Sequence, residues 1–513
     1  MSRKTVAVID IGSLNARLKI YEISSKAKPK NIETVRSFVS VGAQNYTMGV
    51  MTQEQLNELC DLLVSFERKC KEYKVDKVFC VSTSAFRDVS NKDVAIDQIR
   101  NRTGFKIDIL DNSMERFYHN IAVKEIYPDF YDMIKEGTLI LDIGAGSLQA
   151  TVYDKQEFVF SQNMVLGALR IYEMLSDLQN RTTHYEDVLE EFIAQDLDDY
   201  HAVEPKGISY KYLMSFSGEM GFIKKLAGKD PFRSCVFTKE EFLQVYEYLL
   251  KTRPTDLTLN NSVPSYIAPL LLPSALITRN MLEYTGVDAV YMPHASLSDG
   301  IIHHYCYQTG KIKDNKLYDS DLITSAKNTA KRYKTDKKHV EFVEKTALMI
   351  FDAVAKSSGL TERDRLLLRL SALLHEIGKF VHAKNHNDSA YWIIKNTDFI
   401  GIDAGELETI AGVVRLYPKE NVYASDYYQT LAPAKRVLVS KLTSILRMAD
   451  ALYASHREKV KKMNVVLKSD CLHITCESNV EMSFEEWSFE HRRGVFSEVM
   501  GIPAQLRIRR QLQ

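Results

Sequence analysis

Net charge is the first thing this chain lacks. Its 67 lysines and arginines are matched by 67 aspartates and glutamates. That argues against a broad nucleic-acid surface, which needs a basic excess, while leaving room for a local basic channel. Cysteine is scarce, with seven in 513 residues. The number is odd and no pair is spaced as Cys-x-x-Cys, so reduced, intracellular thiols are the simplest reading. Long apolar runs are also missing. The best candidate, 267–277, is too short to span a bilayer and contains two prolines. The opening Met-Ser-Arg-Lys passes straight into a strand pattern without the apolar core of a secretory leader. Together these absences predict a soluble cytoplasmic protein with neither membrane nor nucleic-acid partners. The length suffices for several domains.

What the chain does have is a duplicated loop. Thr138-Leu-Ile-Leu-Asp142-Ile-Gly144-Ala-Gly146-Ser147 reads as a buried strand ending in a Gly-rich turn, whose backbone N–H groups can face an anion. A Cβ at the glycines would hold a phosphate away from the backbone. The Asp carboxylate beside the loop can hold a divalent cation and cancel phosphate charge. A second copy, Thr5-Val-Ala-Val-Ile-Asp10-Ile-Gly12-Ser13, lies about one domain length earlier. An alternating segment follows each copy, so each reads as a β-hairpin. Two such hairpins predict two similar α/β domains facing a cleft, with Asp10 and Asp142 across it. Further along, 78–81 is a short buried strand ending in Ser82-Thr-Ser-Ala-Phe-Arg87-Asp88. Hydroxyls and an Arg at a strand's C-terminal end suit phosphate capture, although Arg87 could instead pair with Asp88. Asp111 and Asn112 supply helix N-cap chemistry, with Glu115 in the first turn.

The paired Asp-Ile-Gly loops resemble the actin-like (ribonuclease H-like) phosphotransfer fold. More narrowly, the chain resembles the exopolyphosphatase and guanosine pentaphosphate phosphohydrolase family (Ppx/GppA). The motif around Arg87, the segment 109–115, Leu166-Gly-Ala-Leu-Arg170 and Leu374-His375-Glu376-Ile-Gly378-Lys379 match in order. The resemblance implies a hydrolase releasing terminal phosphate from inorganic polyphosphate or guanosine pentaphosphate. In it, Glu115 is the general base and Asp142 the second catalytic carboxylate. Ser13, Arg87, Gly144, Gly146, Ser147 and Arg170 would hold phosphate. Asp10 and Asp142 would place Mg²⁺ (or Mn²⁺), with Gln149 standing where the family carries a Glu.

The expected organisation is α/β: two actin-like domains over 1–122 and 123–310, a polar linker at 311–319, an HD-like helical domain over 320–455, and a small α+β lobe over 456–513. HD domains bind metal through a His, a His-Asp pair and a later Asp. Here His339, His375, Glu376 and Asp450 match, with Glu in place of the paired Asp. The expectation is that these four converge but hold metal poorly, a vestigial site. A homodimer is compatible with this organisation.

The match breaks where charge matters. The family's Gly-Gly-Gly-Ser-Thr-Glu is here Gly144-Ala-Gly-Ser-Leu-Gln149. Gln149 keeps hydrogen-bonding reach but offers Mg²⁺ no charge. Ser265-Tyr266 and Ser298-Asp299-Gly300 replace two further phosphate-binding motifs, and Arg116 follows Glu115 where the family has a small residue. Two functions survive: a phosphoanhydride hydrolase of reduced activity, which Glu115 favours, and a polyphosphate- or alarmone-binding regulatory protein, which Gln149 favours. An actin-like sugar kinase ranks third, since nothing resembles a sugar site.

Overall fold

The computed structural model describes residues 4–24, 27–39, 41, 49–179, 181–182, 184–310 and 316–510, which form two compact units, Met1–Asp321 and Leu322–Gln513. Most of the expected linker, 311–315, lies outside the described residues. The rest of it is already helical, in Lys316–Arg332.

The first unit contains two sheets of the same plan. One is built from β1 (Lys4–Ile11), β2 (Asn15–Ile23), β3 (Lys30–Phe38), β4 (Lys77–Ser82) and β5 (Asp108–Ile109), in the order β3-β2-β1-β4-β5. The other uses β6 (Gly137–Ile143), β7 (Leu148–Asp154), β8 (Glu157–Met164), β9 (Tyr210–Ser217), β10 (Cys235–Thr238) and β11 (Ala289–Met292), in the order β10-β11-β9-β6-β7-β8. In each sheet three antiparallel strands form a meander, and the first of them pairs in parallel with a later strand. The central strands are apolar on both faces because both faces are covered: Val6, Ala7, Val8 and Ile9 are wholly buried.

Two helices join the halves. Asn112–Ile126, capped by the Asp111 side chain accepting from Met114 N at 2.8 Å, leads from the first sheet to the second. Leu297–Gln308 follows the second sheet and returns to the first, where Leu297, Ile301 and Ile302 pack among Val6, Val8, Tyr21 and Val81. Ser296 is the N-cap of this helix and 297–300 its first turn. Ser296 and Asp299 form a capping box that starts it. Asp299 is also the buried partner of Lys19 Nζ, at 2.9 Å, and accepts from the Tyr21 hydroxyl at 2.7 Å.

In the second unit the helices Lys337–Ser358, Glu362–Leu374, His386–Lys395, Ala404–Leu416 and Pro433–Ala451 precede β12 (Lys462–Lys468) and β13 (Cys471–Ser478). Helix Ser483–Met500 then crosses over to β14 (Ala504–Arg510), which pairs in parallel with β13. Leu472, Ile474, Phe489 and Phe496 share one buried cluster with Val343, Leu370 and Leu446 of the helices. Among the described residues, no helix is long and apolar enough to cross a membrane.

The joining helices touch backbone to backbone. A Cβ at Gly300 would lie 1.8 Å from the Tyr118 carbonyl oxygen. Gly300→Ala is therefore expected to cost about 1–3 kcal/mol by overpacking. An unchanged urea midpoint would show that the two helices part freely.

Candidate active site

Each Asp-Ile-Gly turn closes with the same hydrogen bond. Gly12 N donates to Asn15 O at 2.9 Å, and Gly144 N donates to Ser147 O at 2.8 Å. The reason for glycine differs from the one expected. A Cβ at Gly144 would press on the Ser147 carbonyl oxygen at 3.1 Å, and one at Gly12 on Asn15 O at 3.3 Å. The glycines allow the turn to close on itself.

Closed this way, each turn fixes which side chains stand beside its Asp. Asp10 pairs with Arg17 across β1 and β2, and Arg17 pairs with Arg36 across β2 and β3. In the other half, Asp142 pairs with Gln149, and Gln149 with Asn163. Directly opposed residues share a sheet face. The two rows are thus counterparts, one cationic and one neutral. A cavity of about 520 Å³ lies between the halves, lined by Asp10, Arg17, Arg36, Glu115, His119 and Asp142 among others.

Four carboxylates face this cavity; Glu115 and Asp142 each touch a cation, while Asp10 and Glu219 lie in the field of nearby arginines. Glu115 accepts from Arg87 Nη1 at 3.0 Å. His119 Nδ1 is hydrogen-bonded to Asp142 Oδ2. Asp10 is the cross-strand neighbour of Arg17, and buried Glu219 is offset first by hydrogen bonds from Ser217 and its own backbone N–H and then by the field of Arg36. Burial raises the carboxyls of Asp10, Glu115 and Glu219, with these cations pulling the other way. Burial disfavours charge on His119 too, yet Asp142, Glu115 and Asp10 outweigh it and lift the imidazole to about 9. Burial and the neighbouring Arg17 lower the Arg36 guanidinium.

Of the residues anticipated for this site, Asp10, Ser13, Glu115, Asp142 and Gly144 line the cavity. Arg87, Gly146, Ser147, Arg170 and Gln149 are not among its lining residues. Arg87 holds Glu115 and the Leu110 carbonyl, while Asp88, the alternative partner weighed for Arg87, pairs with Arg170 Nη2 at 3.1 Å. Arg170 Nε also donates to Gly146 O at 3.0 Å, and Arg170 N to Ala145 O at 3.0 Å, clamping the loop from behind. This approach needs Gly167, where a Cβ would fall 2.3 Å from Ala145 O. Gln149 is buried, and its Oε1 has no hydrogen-bond partner.

Asp10 and Asp142 are the two carboxylates of the paired turns at this cavity, a set that could hold a divalent cation beside substrate phosphates and water. His119 is hydrogen-bonded to Asp142, and the neighbouring position on β7 is the neutral amide of Gln149.

Within the second unit, His339, His375, Glu376 and Asp450 converge. The Nε2 atoms of the two histidines are 3.0 Å apart, and Asp450 Oδ1 lies 3.2 Å from His339 Nε2. Glu376 Oε1 is 3.4 Å from the same nitrogen. Burial pushes His375 down to about 4, so its imidazole is neutral. Its Nδ1 is hydrogen-bonded to Ala372 O, which leaves Nε2 as the lone-pair nitrogen. The ligand types suit a transition metal. However, Lys379 already binds Glu376 and Arg492 binds Asp450.

Arg17, Arg36 and His119 were not anticipated from the sequence. Arg17 was within reach, since the hairpin turn places it opposite Asp10. His119 is one helical turn after Glu115, the i,i+4 spacing of one helix face. Arg36 was not accessible, because the β2–β3 register shifts between Ile20 and Tyr21.

The paired sheets and the shared cavity define an actin-like α/β protein of the phosphatase type. Residues 20–306 match the Ppx/GppA phosphatase family and residues 323–492 match its domain III. The chain belongs to the Ppx/GppA phosphatase family. It is similar to the guanosine-5'-triphosphate,3'-diphosphate pyrophosphatase of Pseudoalteromonas translucida, 21% identical over 490 residues and covering 93% of each chain. It is also similar to exopolyphosphatase 1 of Mycobacterium bovis, 21% identical over 304 residues, which are 58% of this chain and 87% of that one. The crystal structure of an exopolyphosphatase from Cytophaga hutchinsonii shares the fold, with a TM-score of 0.51 and 20% identity over 60% of this chain and 98% of that one.

Two outcomes follow from this geometry. Gly167→Ala should displace the 144–147 loop, lower the thermal midpoint by overpacking, and weaken tripolyphosphate binding by the protein that remains folded, as calorimetric titration measures. Purified protein should carry well under one equivalent of transition metal, and Lys379→Ala, which frees Glu376, should raise the amount. Tight stoichiometric metal that disappears in His375→Ala is the contrary result, read by elemental analysis.

Proposed function

We propose that the protein hydrolyses a terminal phosphoanhydride bond, releasing phosphate from inorganic polyphosphate, guanosine pentaphosphate or both. The observation that carries this reading is the meeting of Glu115 with both Gly-turn loops, Arg17 and Arg36 at one cavity. Glu115 takes a proton from water. The water oxygen bonds to the terminal phosphorus as the bridging P–O bond breaks, and the shortened chain leaves with the electron pair. Ser13, the loop amides, Arg17 and Arg36 hold the phosphates and offset the charge that spreads over the equatorial oxygens. Arg87 orients Glu115 through their 3.0 Å contact. The names of the relatives support this substrate class.

A second reading, binding without turnover, draws on Gln149, which supplies no charge where a catalytic carboxylate was expected. Phosphate release from long-chain polyphosphate, guanosine pentaphosphate and ATP separates the two. Under the hydrolase reading, Glu115→Gln should lower turnover by about 10²–10⁴-fold while binding persists. Binding without phosphate release from the unaltered protein selects the regulatory reading.

The pH profile supplies an independent check. A general base must be ionised, and burial raises the Glu115 carboxyl. Activity should therefore fall with decreasing pH in a limb above the ordinary glutamate range. Arg87 opposes that shift, so Arg87→Met should move the limb higher still. A limb that stays put would mean that Glu115 is not the group titrating.

A further inference from the structure

The second sheet sets a ruler along the cavity. From β6, which carries Asp142 near its end, the strand order runs outward through β9 and β11 to β10. Neighbouring strands lie about 4.8 Å apart, so β10 stands about 14 Å from β6. The segments that line the cavity on this side keep the same order. Residues 216–222 close β9, 293–297 follow β11, and 231–232 come just before β10. The end of β11 and the start of β10 adjoin, since Met292 pairs with Cys235. The wall changes character along the way. Near β6 it carries Asp10, Arg17, Arg36, Glu115 and Asp142; from β9 to β10 it offers Phe216, Met220, Phe222, Phe232 and His294. A bare phosphate chain has no use for such a wall, whereas a phosphate chain with a flat apolar head uses both parts.

Two features of this stretch narrow the head further. Glu219 lines the cavity, is 5% exposed, and its Oε2 has no hydrogen-bond partner among the described residues. A buried acceptor left without a donor is costly, and a carboxylate repels phosphate oxygens. What it calls for is a ligand group that donates. Phe232 is 77% exposed, with His294 set edge-on to it at a centroid distance of 6.4 Å. Its N–H donates to Asp230 Oδ1 at 2.8 Å, which fixes the turn that presents the ring. An open aromatic face of this kind stacks on a nucleobase. We infer that Glu219 is a specificity-determining residue that selects a guanine nucleoside at the β9–β10 end of the cavity, with the base against Phe232. Guanine carries two adjacent donors, N1–H and the N2 amino group, on the edge a carboxylate can meet. Adenine sets an acceptor, N1, beside its amino group, and a carboxylate repels it. The inference rests on the phosphatase reading and narrows its substrate to guanosine polyphosphates, with the terminal phosphate at Glu115 and the base toward β10.

Calorimetry on the full-length Glu115→Gln protein, in which the proposed base is gone and ligands are not consumed, compares GTP, ITP, ATP and tripolyphosphate in the presence of Mg²⁺. GTP should bind about tenfold or more tightly than ATP and than tripolyphosphate, and ITP, which lacks the N2 amino group, should fall between GTP and ATP. Adding Glu219→Gln, whose amide can serve either base, should erase about tenfold or more of the preference for GTP over ATP. Adding Phe232→Ala should weaken the three nucleotides relative to tripolyphosphate. A merely distorted turn would weaken all four ligands alike, so the ratios carry the result. A preference for GTP over ATP that survives Glu219→Gln overturns the inference, and so do nucleotide affinities that Phe232→Ala leaves unchanged. If tripolyphosphate binds and GTP binds no more tightly, the inference fails while the phosphatase reading stands. If none of the four ligands binds, the phosphatase reading falls with it.

Discussion

A buried cavity walled with acids exists only if the acids are answered. That electrostatic condition governs the first unit. Asp10, Glu115, Asp142 and Glu219 arrive from different elements; Glu115 and Asp142 each touch a cation delivered by another, and Asp10 and Glu219 lie in the field of Arg17 and Arg36. Arg17 and Arg36 come with the meander of the first sheet, Arg87 from the turn after β4, and His119 from a helix. Removing Arg87 or His119 leaves a buried carboxylate without its contact partner, which costs far more than an exposed pair contributes. The same condition separates the two halves of the site. They share strand order, turn geometry and the placement of Asp, yet the residues beside Asp10 are arginines and those beside Asp142 are amides.

The duplication itself was legible in the sequence because it is written locally. An apolar strand, an Asp and a Gly turn need no long-range information, and the two turns close with equivalent hydrogen bonds. The N-cap at Asp111 and the placement of Glu115 in the first turn of its helix were legible for the same reason. The convergence of His339, His375, Glu376 and Asp450 was anticipated through resemblance, since no local pattern joins positions so far apart.

What escaped the sequence was pairing. Whether Arg87 serves phosphate, Asp88 or Glu115 depends on where helix Asn112–Ile126 docks, and only the folded chain shows Arg87 on Glu115 and Arg170 on Asp88. Asp299 read as the loss of a phosphate ligand. In the fold it is a helix-capping acid locked to Lys19 and Tyr21. Gly167 read as one letter of a motif, and its reason is the 2.3 Å that a methyl would leave to Ala145 O. Charge partners and close approaches are properties of pairs of elements, so a linear pattern leaves them open.

The helix Asn112–Ile126 belongs to neither half alone: it starts at the edge of one sheet and ends against the other. Glu115 and His119 ride on it one turn apart. A helix is stiff over so short a span, so the separation between Glu115 and His119 is set by helical geometry alone. If the halves turn about their connecting helices, the cavity changes width while this pair moves as one piece. The residue held by Arg87 and the residue held by Asp142 thus share a single rigid rod. Opening and closing of the cavity need not disturb the spacing between them.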